Sequence, residues 1–404
     1  MANSIITVPG LEIFAAEIEE SCPILEDCRT TNKGLRGREG GKLKVAIPDP
    51  GHTFVKKGGI PTIGAGGDIE DLSVKEFQRE FTVCVATNAC ALSSLERVTD
   101  IDSFEKEVAD PRSPEIGAGV QDYVIDAGGL YSDSVFVADG TSNTFNGYDL
   151  LSEMSGSLAD SRCAGELVGY MSGKIKSKIT AGGLKLFNEN AIAGELYRKA
   201  KIGEYANVMW KSTPMPVISI GALPASTTVS AKPSEGSDTI VLASANITTA
   251  TTIKAGTVFT VANVSKCDVL GHVMDEDKAF VVQEDATGGS GTISLKVTEM
   301  NATGAHRNVS ALPAASAVVT WKLTANKKYA LVWAWQKYNV NLDSVKLDDS
   351  GLEEFSAKSP SGKLELSCVV HGDQNRNGSY RFDCAFLPGA VDSRRVALGY
   401  IQLN

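Results

Sequence analysis

Few side chains of this 404-residue sequence stand in patterns that could do catalytic chemistry. The histidines at positions 52, 272, 306 and 371 form neither an H-E-x-x-H nor an H-x-x-x-H arrangement, and no G-x-S-x-G motif presents a serine. Group transfer needs an activated nucleophile or a poised acid–base pair, and no local motif offers one. The sequence therefore predicts a protein that is not an enzyme and that uses no cofactor.

Two short segments come near to ligand-binding patterns. Asp373, Asn375, Asn377 and Gly378 match the start of a calcium loop, but Cys384 stands where a bidentate glutamate is required. Asparagine and glycine in this order are more typical of a turn. The second segment, GHVMDEDKAF, sets a histidine beside three acidic residues; a metal site is one interpretation, and an exposed acidic hairpin tip is the one we favour.

Charge and composition exclude several further classes of protein. The net charge is −10, so the chain as a whole lacks the basic character of nucleic-acid binders. No apolar run reaches the roughly 18 residues that span a membrane, and the N-terminus has no secretory pattern. The eight cysteines form no C-x-x-C pair, which predicts scattered, reduced and mostly buried thiols.

One cluster of basic residues stands out in this acidic chain: Lys33, Arg36, Arg38, Lys42 and Lys44, interrupted only by Glu39. It lies in a segment with ten glycines between positions 34 and 67, which cannot bury a core of its own. The cluster could contact nucleic acid, or an acidic patch on a neighbouring copy of the chain. We favour the second interpretation, because a projecting loop suits it.

The first half of the chain predicts an arm, a loop and a helix. Apolar residues at helical spacing predict a helix over 10–22, ended by Pro23. Alternation predicts strands at 43–47 and 81–85. Ser113 and Pro114 predict the start of a helix that runs through residue 131. Four glycines within this segment lower its helix propensity. The apolar residues of the first helix are Leu11, Phe14, Ala15 and Ile18.

Helix and strand patterns then alternate as far as residue 222. SVFVAD predicts a short buried strand, and Asn146 predicts the cap of a helix with an apolar stripe. GGLKLF predicts a strand, after which Asn188 would cap another helix. NVMWKSTPMPVIS predicts an extended run at a sheet edge or element start, because its two prolines cannot donate ladder hydrogen bonds.

Residues 223–325 differ from both flanks. They contain 25 serines and threonines but only three aromatic residues, Phe259, Phe280 and Trp321. β-Branched runs separated by Gly, Asn and Asp turns predict five or six strands and a small barrel. Aromatic residues return in YALVWAWQKYNVNLDSVKL, and three more strands close the chain.

This order of elements resembles the Hong Kong 97-type phage major capsid proteins. GEYANVMWKSTPMPVIS before a Thr/Ser/Val-rich segment, together with KLFNENAIAGEL, is similar to the insertion-domain coat proteins of the Salmonella phage P-twenty-two group. The resemblance implies an α+β fold with peripheral and axial domains, an extended loop, an N-terminal arm and an inserted β-barrel. The implied divisions are an arm (1–35), an extended loop (36–80), a peripheral domain with a spine helix (81–146), an axial domain (147–222), an inserted barrel (223–325) and a return to the body (326–404).

The resemblance also implies a function. Copies would assemble as pentamers and hexamers into an icosahedral shell around double-stranded DNA, in the bacterial cytoplasm. Expected partners are a scaffolding protein, a portal and a decoration protein, with DNA touched non-specifically and no membrane. A β-rich adhesin or carbohydrate-binding protein is the alternative. The residues expected at contacts between copies are Phe14, Ile18, Arg36, Arg38, Lys42, Lys44, Lys56 and Lys57.

Overall fold

The computed structural model describes residues 8–30, 42–48, 76–92, 111–141, 145–184, 203–304, 306–344, 353–372 and 378–403. The chain forms two compact units. Unit 1 comprises 1–44, 80–129 and 337–391, and unit 2 comprises 45–79, 130–336 and 392–404. The architecture is α+β and rich in strands, as the sequence predicts.

The elements of the first half, in chain order, include four helices. These are α1 (Val8–Ser21), α2 (Ser113–Val124), α3 (Gly147–Asp160) and α4 (Gly173–Leu184). The strands up to the Thr/Ser-rich segment are β1 (Lys42–Pro48), β2 (Glu76–Thr82), β3 (Cys84–Leu92), β4 (Ser134–Ala138), β5 (Leu167–Met171), β6 (Gly203–Tyr205), β7 (Val208–Ser212) and β8 (Val217–Ser219).

The second half is made of strands. Those of the Thr/Ser-rich segment are β9 (Thr228–Val229), β10 (Ser237–Ala243), β11 (Thr252–Ile253), β12 (Val258–Cys267), β13 (Val273–Val281), β14 (Ala286–Thr287), β15 (Thr292–Met300) and β16 (Val319–Trp321). The closing strands are β17 (Lys328–Gln336), β18 (Val340–Ser344), β19 (Glu353–Lys358), β20 (Glu365–Gly372), β21 (Gly378–Ala390) and β22 (Val396–Leu403).

Unit 1 packs α1 and α2 on a five-stranded antiparallel sheet. The strand order is β18-β21-β20-β19, and β3 pairs with β21. The predicted apolar face of α1 is buried, and the Phe14 ring meets Phe382 edge-on with ring centroids 5.0 Å apart. The helix ends before Pro23, which opens a short 3₁₀ turn. The predicted first helix is therefore confirmed.

Helix α2 is shorter than the sequence predicts. It starts at Ser113 with Pro114 in its first turn, ends at Val124 and continues as a π-helical turn, Ile125–Gly129. One of its glycines has a packing role, because a Cβ on Gly117 would lie 1.9 Å from Ser21 Oγ of α1. Two helices that approach so closely need a residue without a side chain at their contact.

Unit 2 is built on a seven-stranded mixed sheet, which we call the body sheet. Its order is β4-β22-β17-β5-β7-β6, and β8 pairs with the start of β17. Helices α3 and α4 cover one face with an apolar cluster that includes Leu151, Met154 and Trp210. The predicted cap of α3 is confirmed, because the Asn146 side chain accepts a hydrogen bond from the Tyr148 N–H at 3.2 Å.

Two predictions for unit 2 are wrong. Strand β4 was expected to be buried, but it lies at the edge of the body sheet and Val137 is 41% exposed. An apolar run does not reveal whether both faces of its strand are covered. Residues 182–184, expected in a strand, form the last turn of α4, and the helix predicted after Asn188 lies outside the described residues.

Residues 223–325, which we call the module, form two three-stranded sheets around one apolar core. The sheets are β15-β10-β9 and β13-β12-β16, and a two-stranded ribbon, β11-β14, completes the module. A β-bridge between Thr228 and Val318, with the backbone hydrogen bonds on either side of it, links β9 to the chain just before β16. Because β9 and β16 are two and three residues long, the described ladders do not close, and the predicted barrel is corrected to a pair of packed sheets.

Candidate functional site at the base of the module

The module enters and leaves the body through neighbouring backbone. Strand β8 pairs antiparallel with β17, with Ser219 opposite Lys328. Beyond this pair the Ile220 N–H donates to the Lys327 carbonyl at 2.9 Å, and the Asn326 N–H donates to the Gly221 carbonyl at 3.2 Å. The module is therefore an insertion whose two ends emerge side by side from the body sheet.

A buried lysine attaches the module to α3 and β4. Lys266 of β12 is 1% exposed, and its Nζ lies 2.6 Å from Glu276 Oε2. Three serine hydroxyls of the body also lie within hydrogen-bonding distance of this ammonium, so its three N–H donors have four acceptors to choose from. Those hydroxyls belong to Ser134 (2.8 Å), Ser157 (2.5 Å) and Ser161 (3.3 Å).

A second lysine of the module is entirely enclosed. Lys278 of β13 forms an ion pair with Asp133, and both side chains are 0% exposed. The adjoining backbone is also paired, since the Ala279 N–H donates to the Asp133 carbonyl at 3.2 Å. Burial lowers the pKa of Lys278 below its ordinary value, and the neighbouring Asp133 carboxylate opposes that shift.

Arg394 holds the module from the C-terminal side. Its guanidinium is bidentate to Asp392, with both nitrogen–oxygen distances 2.9 Å. It also donates to the carbonyls of Asp268 and Arg307 in the module, each at 3.2 Å. Burial disfavours the charged form of Asp392, yet Arg394 and Arg395 hold the pKa of this carboxyl below its usual range.

The acidic segment after β12 is not a hairpin tip. Glu276 binds Lys266, while Asp275 and Asp277 are exposed along β13. His272 Nδ1 lies 3.2 Å from Asp268 Oδ2. Within the described residues no three His, Cys, Asp or Glu side chains are grouped to hold a metal ion.

The close Ser157–Lys266 contact has the composition of a serine–lysine nucleophile pair. Both side chains are buried, and the amine is shared among three hydroxyls and a carboxylate. A substrate needs access to the hydroxyl oxygen, which this enclosure denies. The arrangement therefore serves to attach the module, because its hydrogen bonds and ion pairs fix the module to the body sheet.

The predicted contact residues fall into two groups. Phe14 and Ile18 are buried in unit 1, so the surface that α1 offers to a partner is its exposed side, with Glu12 and Ile13. The basic side chains lie outside the described residues, although Lys42 and Lys44 belong to strand β1. Those basic side chains are Arg36, Arg38, Lys42, Lys44, Lys56 and Lys57.

An acidic row that runs along α2 into the π-helical turn after it, which we call the acidic row on α2, was not predicted from the sequence. Glu115, Asp122 and Asp126 are exposed, and Tyr123 beside them is 47% exposed. Partial burial raises the pKa of Asp122, and burial together with Asp122 raises that of Asp126. The spacing of seven and four residues, which aligns side chains on one helical face, was the available signal.

The cysteines of the chain and the aromatic residues of the module are mostly enclosed. All eight cysteines are free, and five of them are buried, as predicted. Phe259 and Phe280 stack in the core, and the half-buried Trp321 packs edge-on against Phe259. No aromatic side chain in the described part of the module is left as an open platform for a sugar.

In the described part of the chain no helix is long and apolar enough to cross a membrane.

Comparison with known proteins gives matches among solved structures. No family model and no curated protein matches the chain. The capsid of the cyanophage P-SCSP1u is similar at 8% identity over 90% of this chain and 84% of that chain, with a TM-score of 0.45. The mature capsid of bacteriophage PhiM1 is similar at 10% identity over 90% and 82%, with a TM-score of 0.43. A virus-like particle from Pyrococcus furiosus is similar at 7% identity over 96% and 97%, with a TM-score of 0.41.

Each of these is a capsid or a virus-like particle. The finer assignment, to the insertion-domain coat proteins of the Salmonella phage P-twenty-two group, stays a prediction.

Proposed function

We propose that the chain is a major capsid protein that forms pentamers and hexamers of an icosahedral shell around double-stranded DNA. Unit 1, with α1 and α2, corresponds in this proposal to the N-terminal arm and peripheral domain. Unit 2 corresponds to the axial domain, with the module as its insertion. The order of the described elements supports this correspondence: an arm helix, a strand pair flanking a glycine-rich segment, a helix, a mixed sheet and an insert.

The observation that carries the proposal is the exposed acidic row on α2. Like charges four residues apart, such as Asp122 and Asp126, destabilise a helix by a few tenths of a kcal/mol. Neither α2 nor the π-helical turn that continues it contains a basic residue to offset them. The Asn88 side-chain amide donates one hydrogen bond of 2.9 Å to the Glu115 carboxylate, but Asn88 carries no positive charge. The row is suited to a basic partner, and the exposed Tyr123 ring adds apolar contact area.

The partner that fits this row is the basic, glycine-rich segment of another copy. That segment concentrates positive charge in an otherwise acidic chain, while its glycines let the backbone follow a neighbouring surface. A contact of about 800 Å² per partner suffices when each subunit makes several at once. The proposed basic contacts are Arg36, Arg38, Lys42, Lys44, Lys56 and Lys57.

Charge reversal tests the contact. In the double variant Asp122→Lys/Asp126→Lys we expect no shells, because the basic segment would meet like charge. Adding Arg36→Glu and Arg38→Glu should restore particles in part. Glu153→Lys, an exposed reversal on α3, serves as the matched control and should assemble normally. Normal shells from the double variant, seen by sedimentation and negative-stain microscopy, would overturn the assignment of this surface.

The remaining partners follow from the same proposal. A scaffolding protein, a portal and a decoration protein would associate with the shell in the bacterial cytoplasm. Packaged DNA would be touched non-specifically, since an acidic wall encloses DNA without binding it tightly. Co-expression with each candidate, followed by particle purification, tests these associations one at a time.

A further inference from the structure

The Asp133–Lys278 pair has features that an ordinary ion pair does not need. The two residues are 145 positions apart, they belong to the body and the module respectively, and both side chains are completely enclosed. Lys278 Nζ is in direct contact with Asp133 Oδ1, while Asp133 Oδ2 accepts no hydrogen bond within the described residues. An enclosed carboxylate with one unsatisfied oxygen is costly to keep charged.

Backbone hydrogen bonds fix the two reacting groups relative to each other. The Ala279 N–H, next to Lys278, donates to the Asp133 carbonyl at 3.2 Å. The Asp133 N–H in turn donates to the Ser393 carbonyl at 3.2 Å. Asp133 is therefore held on both sides, and the amine stays against the carboxyl without further ordering, which is the condition under which proximity accelerates a reaction most.

Burial works against the charged form of the Lys278 amine. Burial lowers the pKa of Lys278, the Asp133 carboxylate raises it, and the Arg394 guanidinium lowers it again. Proton transfer from the ammonium to Asp133 then yields an amine, which is a nucleophile, and a carboxylic acid, which is its electrophile. Arg394 interacts with Asp133 as well, so its positive charge would stabilise the oxyanion of a tetrahedral intermediate.

We propose that Asp133 and Lys278 condense into an intramolecular isopeptide bond that joins the module covalently to the body. Lys278 Nζ forms a bond to Asp133 Cγ, and one Cγ–O bond breaks. The departing oxygen carries away two of the three ammonium hydrogens as water, and the third remains on the amide nitrogen. Charge and atoms balance without an oxidant, reductant or further reactant, and the step is independent of whether the chain forms shells.

The other buried lysine provides an internal comparison. Lys266 also touches a carboxylate, but Glu276 is 29% exposed and keeps its hydration. Three serine hydroxyls accept hydrogen bonds from the Lys266 ammonium, whereas Lys278 has no such acceptors among the described residues. Lys266 and Glu276 are therefore expected to remain an ion pair, and within the described residues only the Asp133–Lys278 bond is expected.

Intact mass spectrometry of the purified, denatured full chain is the test. We expect a mass lower than the sequence mass by one water molecule, and a branched tryptic peptide that contains Asp133 and Lys278. A chain of full sequence mass with only linear peptides would overturn the proposal. So would the loss of water without the branched peptide, because an aspartyl succinimide elsewhere has the same mass.

Variants make the assignment specific. Lys278→Arg and Asp133→Ala should retain the full sequence mass, whereas Lys266→Arg should still lose one water. Asp133→Asn should lose one ammonia molecule instead, because the amide nitrogen leaves in place of the carboxyl oxygen. If Lys278→Arg fails to fold, the presence or absence of the branched peptide in the unaltered protein shows by itself whether the isopeptide bond forms.

Discussion

The Ile220 N–H donates to the Lys327 carbonyl at 2.9 Å, at the two points where the chain enters and leaves the module. This single bond joins residues that are separated in sequence by the whole module. An insertion of this kind can be gained or lost without changing the path of the body, provided that the surface beneath it tolerates water. The surface beneath this module does not, because it contains Asp133, Ser134 and the buried Tyr400.

Deleting the module should therefore prevent folding even though its ends already meet. A chain in which two glycines join Gly221 to Asn326 keeps the β8–β17 pairing but exposes charged and aromatic groups of the body sheet. We expect insoluble or aggregated protein, measured as the soluble yield and by sedimentation. A soluble deletion variant that assembles normal shells would contradict this expectation.

Replacing the buried lysine should cost far more than replacing an exposed one. Lys266→Met leaves three serine hydroxyls without their donor and should lower the free energy of unfolding by about 1–3 kcal/mol. The matched control is Lys254→Met, whose salt bridge to Asp285 is half exposed, and it should change that free energy by less than about 0.5 kcal/mol. Urea unfolding of both variants measures the two changes in unfolding free energy. Equal losses would show that the buried hydrogen bonds of Lys266 stabilise the fold no more than an exposed salt bridge does.

Asp392 should make stability depend on pH in the acid range. Its folded pKa lies below the ordinary value of about 3.9, so its contribution is complete above that pH and is lost as the pH falls through the folded pKa. At neutral pH, Asp392→Asn leaves Arg394 buried without its partner and should cost about 3–5 kcal/mol. The difference between variant and unaltered protein should shrink below about pH 3.9; a constant difference in unfolding free energy would rule out this linkage.

Two glycine-to-alanine changes should act in opposite directions. A Cβ on Gly169 would lie 2.3 Å from the Trp210 ring, so Gly169→Ala should cost about 1–3 kcal/mol by overpacking. A Cβ on Gly156, within α3, meets no atom within 4 Å. Gly156→Ala should stabilise the chain by about 0.5–1 kcal/mol through helix propensity. Thermal unfolding of the two variants measures both signs, and a loss in the Gly156 variant would contradict the packing described for α3.

Local signals in the sequence were sufficient where one residue type decides a structure. The apolar spacing of Leu11, Phe14 and Ile18 predicted α1, and Asn146 predicted the start of α3. They were insufficient where the outcome depends on what covers a strand. SVFVAD gave no sign that β4 lies at a sheet edge, and the β-branched runs could not show that β9 is too short to close a barrel.

The network of buried charged residues between the module and the body sheet could not be predicted from the sequence. Asp133 and Arg394 lie far along the chain from Lys266 and Lys278, and isolated charged residues ordinarily face water. Only the packing of the module on the body sheet brings them together and removes the water between them. The acidic row on α2 differs in kind, because helical spacing alone aligns its carboxylates and is visible in the sequence.

The central claim is that copies of this chain assemble into closed shells, and particle size tests it most directly. Sedimentation velocity and negative-stain microscopy of the purified chain, with and without a co-expressed scaffold candidate, should show closed shells or capsomer-sized rings. A monodisperse monomer under every condition would contradict the claim.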